Sequence, residues 1–144
     1  LELIKKICQP NLQFSHLRPR DLNSPHSDDW RKLVSIIAYF PPPGWREEFG
    51  GGTVFLRAKA DLASRPWFDP AMNRVPAEHA KEFFSDMEPF ERARYQPNSW
   101  VLFCKTINSF HAVEPIKCPP PLARRAFVMT LKISVPETGS LLRD

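Results

Sequence analysis

A chain of 144 residues, 42% hydrophobic and 12% aromatic, is one domain able to bury a core. Sixteen prolines against five glycines exclude a bundle of long helices and favour turns and edge strands. The net charge of +4 comes from Lys and Arg dispersed among Asp and Glu, a solvated surface rather than a clustered nucleic-acid footprint.

Cys8, Cys104 and Cys118 are odd in number and form no CxxC pair, so neither a zinc knuckle nor a disulfide framework is expected. Their use fits a reducing cytoplasm. No apolar run reaches the roughly 20 residues that span a bilayer, and no signal peptide is visible. The first residue is Leu1 rather than methionine, which leaves room for more chain upstream.

In chain order, Leu1, Leu3, Ile4 and Ile7 have helical spacing, and Pro10 ends that segment. Residues 12–17 read as a strand, and Asn23-Ser24-Pro25 as a turn. Residues 33–40 are the strongest strand signal, apolar on both faces and too short for a buried helix. Pro41-Pro42-Pro43-Gly44 stops it. Gly50-Gly51-Gly52 lacks the Lys-Ser or Lys-Thr of a phosphate loop, so the glycines are expected to turn the backbone into a strand at 53–57. Residues 58–90 look like an insertion: Trp67, Phe68 and Met72 in a Pro-rich loop, then a helix at 77–84 with Phe83, Met87 and Phe90 on one face. His79 has no partner at metal spacing and reads as a surface or packing histidine. Strands follow at 91–95, 100–104 (read as buried) and 124–133, with tight turns at Pro97-Asn98 and Pro119-Pro120-Pro121. The tail, 136–144, is polar and expected to fray. About seven short strands at even spacing indicate a mainly β sandwich or barrel with a few supporting helices.

The chemistry concentrates in Pro25-His26-Ser27-Asp28. On an extended segment, side chains two residues apart share a face, so one imidazole nitrogen of His26 and one carboxylate oxygen of Asp28 can meet on one metal ion. His111, in Ser109-Phe110-His111-Ala112-Val113-Glu114-Pro115 and expected on a short loop, offers the third ligand. Two histidines and one carboxylate with open positions opposite suit a non-haem iron site. Asp29 points to the other face and reads as a turn or surface acid.

These motifs, in this order, resemble the 2-oxoglutarate- and Fe(II)-dependent dioxygenase superfamily, closest to its prolyl-hydroxylase-like and phytanoyl-hydroxylase-like branches. The pattern runs through His26-Ser27-Asp28, the strand to Tyr39, Gly51-Gly52-Thr53, residues 97–103, His111-Ala112-Val113-Glu114-Pro115 and Arg124-Arg125-Ala126. The resemblance implies a double-stranded β-helix, or jelly roll, with His26, Asp28 and His111 holding Fe(II). It implies 2-oxoglutarate and O2 as cosubstrates, hydroxylation of a C–H bond of a small molecule or peptide side chain, and release of succinate and CO2. The far carboxylate of 2-oxoglutarate would meet an arginine on the last strand, because a desolvated carboxylate needs a forked cationic partner. The family register puts Arg124 inward with Ala126, Val128 and Thr130, while a one-residue slip would substitute Arg125. Tyr39 could offer its phenol to the same carboxylate or simply be a core tyrosine, and Thr130 could add a hydroxyl. An acid at Asp28 favours hydroxylation or desaturation over halogenation. Few residues precede the His-x-Asp motif, so bracing elements upstream are expected, and the insertion could cover the pocket mouth with Trp67, Phe68 and Phe83. Two alternatives stand beside this reading: a cupin-like metal dioxygenase or isomerase without 2-oxoglutarate, and a non-catalytic jelly-roll binding module. No nucleic-acid or membrane partner is expected, and the oligomeric state is left open.

Overall fold

The computed structural model describes residues 8–19, 21, 25–59, 64–66, 77–79, 83, 85–106 and 108–133. Seven strands run β1 Cys8–Leu17, β2 Lys32–Tyr39, β3 Thr53–Ala58, β4 Met87–Ala93, β5 Trp100–Cys104, β6 Phe110–Val113 and β7 Arg124–Ile133. They form two antiparallel sheets, one in the order β1-β7-β2-β5 and the other β4-β3-β6. The result is a mainly β, jelly-roll-like sandwich without a closed barrel.

Alternation explains which residues fill the space between the sheets. On β2, Ser35, Ile37 and Tyr39 are buried, and on β7, Arg124, Ala126 and Thr130 are buried while Arg125, Phe127 and Met129 are exposed. Ile37, Tyr39, Tyr95 and Ala126 form the intersheet core, with Val101, Phe103 and Val128 against them. Phe55 meets Phe103 edge to face across the gap, and the Tyr39 hydroxyl donates to Thr53 Oγ1 at 2.6 Å. A second cluster, Leu56, Phe83, Met87 and Phe110, covers the far side of the three-stranded sheet.

Three expectations are corrected here. Cys8, Gln9 and Pro10 begin strand β1 rather than end a helix. Pro10 is tolerated because β1 is an edge strand, where a missing N–H costs no central ladder bond. Residues 87–90, expected to close the insertion, open strand β4, with Pro89 again on an edge strand and a register shift opposite it at Phe55/Leu56. Phe90 is therefore exposed instead of sharing a helical face with Phe83 and Met87. Strand β5, read as buried, exposes Trp100, Leu102 and Cys104 on one face. Cys8, Cys104 and Cys118 are free thiols. Among the described residues, no helix is long and apolar enough to cross a membrane. Trp67, Phe68, Met72 and the 136–144 tail lie outside the described residues.

Candidate metal centre

His26 and His111 sit directly opposite each other. Each donates its backbone N–H to the other's carbonyl at 3.0 Å, an isolated antiparallel bridge joining the segment before β2 to β6. Paired residues in such a bridge project to the same face, and the two imidazole centroids lie 4.4 Å apart. His111 was expected on a loop, but it is the second residue of β6 and pairs with Phe55 on β3. Two residues beyond His26, Asp28 turns to the same side, with Oδ1 3.7 Å from His26 Nε2. One ligand atom from each of His26, Asp28 and His111 lies within 4.8 Å of the others.

The protonation states suit a cation. His111 Nδ1 is 3.1 Å from the Ser109 carbonyl, an acceptor only, so Nδ1 carries the proton and Nε2 presents its lone pair. Burial, with the neighbouring His26 second, holds the His111 pKa down to about 4, so the ring is neutral at pH 7. For Asp28, burial alone would raise the pKa, but the Lys32 hydrogen bond and charge and the Ser35 hydroxyl outweigh it and leave it lowered. Lys32 Nζ donates to Asp28 Oδ1 at 2.6 Å and Ser35 Oγ to Oδ2 at 2.9 Å. A positive charge thus already touches the carboxylate. A metal ion taking Oδ1 would have to displace Lys32. Two neutral-capable imidazoles and one ionised carboxylate form a donor set that fits a divalent first-row metal.

Sequence reasoning left Lys32 and Ser35 out of the site. The Asp28-to-Lys32 spacing and the inward alternation of β2 were the available signals. Asp29 belongs to the turn, accepting from the Arg31 backbone N–H and gripped by its guanidinium at 2.6 Å, which pushes its pKa down to about 2.

Arg124 lies at the other end of the β7 interior. It is 2% exposed. Its Nε donates to the Gly51 carbonyl at 2.6 Å, and its guanidinium carbon sits 5.5 Å from the Tyr39 ring and 5.4 Å from the Tyr95 ring. Among the described residues no carboxylate pairs with it. Burial pulls its pKa down and the two phenols push it back up, and a guanidinium stays charged throughout. Tyr39 and Tyr95 are themselves raised by burial, so both phenols remain protonated. The Thr130 hydroxyl is buried with no hydrogen-bond partner among the described residues, next to Ser35 in the β2–β7 register. Arg125 is exposed, and its N–H takes the Tyr95 oxygen. Phe83, weighed as a lid residue, packs edge to face on Phe110 beneath the three-stranded sheet. On that same far side a groove of about 690 Å³ opens between Val54, Leu56, Phe90, Ala112 and Pro115, away from the triad's face.

No family model matches the sequence, and no curated protein matches it. The fold does have a counterpart among solved structures. A Pseudomonas putida prolyl-4-hydroxylase superposes with a TM-score of 0.54 over 94% of this chain, at 15% sequence identity. The chain spans 59% of the length of that hydroxylase. At such identity the likeness speaks for the fold alone.

Proposed function

We propose that the protein is an Fe(II)- and 2-oxoglutarate-dependent oxygenase that hydroxylates a C–H bond of a small molecule or peptide side chain, in the cytoplasm. The observation that carries this reading is the convergence of His26, Asp28 and His111 within 4.8 Å on the inner face of the sandwich. Arg124 extends it to the cosubstrate. A buried guanidinium without a carboxylate is costly, and its cost is removed when a ligand supplies one. The inward arginine also weighs against a cupin-like enzyme that does without 2-oxoglutarate. The fold shared with the prolyl hydroxylase is compatible with this reading, which rests on the triad and the buried arginine.

In this reading His26, Asp28 and His111 hold the iron. When bound, it supplies the oxidation in which 2-oxoglutarate and O2 become succinate and CO2 and a substrate C–H becomes C–OH. The chain's own contribution is placement. The Ser109 carbonyl fixes the His111 ring so that Nε2 faces inward, and Ser35 fixes the Asp28 carboxylate. Arg124 anchors the far carboxylate with a forked, charge-assisted pair, and Tyr39 and Tyr95 wall the guanidinium so that it cannot swing away.

Anaerobic titration with Fe(II) and then 2-oxoglutarate tests this. A weak visible charge-transfer band of iron-chelated keto acid is expected. Arg124→Ala should weaken 2-oxoglutarate binding by about tenfold to a hundredfold, the loss of a charge-assisted pair, while Arg125→Ala should leave it unchanged. Iron binding with no band at any keto-acid concentration would sink the oxygenase reading in favour of a cupin-like enzyme.

A further inference from the structure

Three lysines occupy the triad end of the four-stranded sheet. Lys32 opens β2 and reaches Asp28. Lys132 pairs directly with Lys32 across β7 and follows the buried Thr130 by two residues, so alternation turns it inward. Lys105 follows β5 with its backbone N–H on the Leu33 carbonyl, and its Nζ donates to Ser27 Oγ at 2.6 Å and to the Thr106 carbonyl at 2.7 Å. The lysines therefore form a row across three neighbouring strands, β5, β2 and β7.

Such a row is unfavourable on its own. Like charges directly opposite on paired strands repel, and the acids nearby do not balance them. Asp29 is taken by Arg31, and Asp28 is shared between Lys32 and Ser35. Lys132 makes no ion pair within 4 Å among the described residues; Asp29 and Asp28 bear on Lys132 and Lys105 at longer range, two carboxylates facing the four cations Arg31, Lys32, Lys105 and Lys132. A divalent metal on Asp28 would release Lys32 and deepen the excess of positive charge. The buried Thr130 hydroxyl, without a partner among the described residues, lies on β7 one inward position from Lys132.

We propose that Lys32, Lys105 and Lys132 form a binding site for an anionic group of the substrate, a carboxylate or a phosphate ester, beside the metal centre. The inference rests on the oxygenase reading for the word substrate, and the charges and register stand without it. The site is distinct from Arg124, eight residues away along β7, or roughly 26 Å of strand. Its substrates are small acids or phosphate esters, with the anion held at the sheet end and the reacting carbon toward the triad.

The test uses ¹⁵N-labelled, metal-free protein titrated with inorganic phosphate and, separately, acetate at constant ionic strength. Saturable shifts are expected at residues 27, 32, 105, 130 and 132, with the stronger response to phosphate if an ester is the natural group and to acetate if a carboxylate is. Lys105→Ala and Lys132→Ala should each weaken binding by roughly tenfold, the loss of one charge-assisted contact. Asp28→Asn, which neutralises the carboxylate as a metal would, should tighten it several-fold by freeing Lys32. Arg124→Ala should change it by less than twofold. Shifts scattered over surface lysines, unchanged in Lys105→Ala and Lys132→Ala, mean adventitious ion binding only and overturn the proposal. Shifts centred on Arg124 overturn it too. Because no iron or keto acid is present, failure here leaves the iron and 2-oxoglutarate titration standing, and the reverse holds as well.

Discussion

His111 is the side chain whose chemistry is most changed by its position. An exposed imidazole titrates near 6.5, whereas burial brings His111 to about 4. The unfolded chain therefore takes up a proton on this ring below about pH 6.5 that the folded, metal-free chain refuses until about pH 4. Protonation favours the unfolded state across that window. The stability due to the neutral ring is complete above pH 6.5 and is lost as pH falls from 6.5 to 4, by up to about 1.4 kcal/mol per unit. Asp29, held at about 2, and the lowered Asp28 stay ionised over most of this range. Urea unfolding of metal-free protein at pH 7 and pH 5 should show a loss of roughly 2 kcal/mol. In His111→Gln, that ring's share of the loss should vanish. An equal pH dependence in both proteins would mean that His111 is not held neutral by the fold. Divalent metal binding should weaken over the same window, since protons compete for Nε2.

At the scale of elements, Glu114 shows how the second sheet is tied together. Its Oε2 accepts from the Gly52 N–H at 3.0 Å before β3, and its Oε1 takes Arg92 Nε on β4 at 2.6 Å. Gly52 has no room for a side chain. A Cβ there would lie 2.6 Å from Glu114 Oε2 and 2.7 Å from the Ala93 carbonyl. The carbonyl belongs to a paired strand and cannot yield. Gly51 is constrained differently, by a φ of 86° and by the Trp45 ring and Arg124 stem against it. Gly52→Ala should cost about 1–3 kcal/mol by overpacking, a fall in melting temperature of roughly 4–10 °C. Calorimetry showing a change under 1 °C would mean that the β3–β4 pairing relaxes there.

This glycine run was legible as a turn into a strand because it lacks phosphate-loop partners. Strands β2, β3, β5 and β7 were legible as short apolar runs bounded by proline or glycine, though the exposed face of β5 was not. Strand β6 was not, since four residues are too few to show a period. The later half of β4 was legible in the strand read at 91–95, but residues 87–90 were hidden by Pro89 and by Met87 and Phe90, which fit a helical face by chance, and β1 was cut short by Pro10. In both cases proline sits on a sheet edge, a place that only the topology reveals. Of the site, His26, Asp28 and His111 do converge as their spacing and the resemblance suggested, and the buried arginine of β7 is Arg124. Lys32, Lys105 and Lys132 were not singled out, because their row exists only across three strands.

For the whole molecule, the two faces of the four-stranded sheet differ. The inner face carries the polar site, and the outer face is apolar. In register, Leu12, Met129, Ile36 and Leu102 form one row across β1, β7, β2 and β5, and Phe14, Phe127, Ala38 and Trp100 form the next. Trp100 is 65% exposed, Phe14 61% and Leu12 59%. Large apolar side chains thus stand side by side in water over two adjacent rows, the pattern that marks an interaction surface. The 144-residue chain alone is therefore expected to bind a hydrophobic dye and to associate in sedimentation velocity as its concentration rises. Replacing one residue in each of two rows, Leu12→Lys with Trp100→Lys, should abolish both effects without touching the inner face, so iron binding should persist. A wild-type chain that sediments as a monomer at every concentration and binds no dye would show this face to be covered in solution. Loss of iron binding in the double variant would show the outer rows to be coupled to the site through β2 and β7.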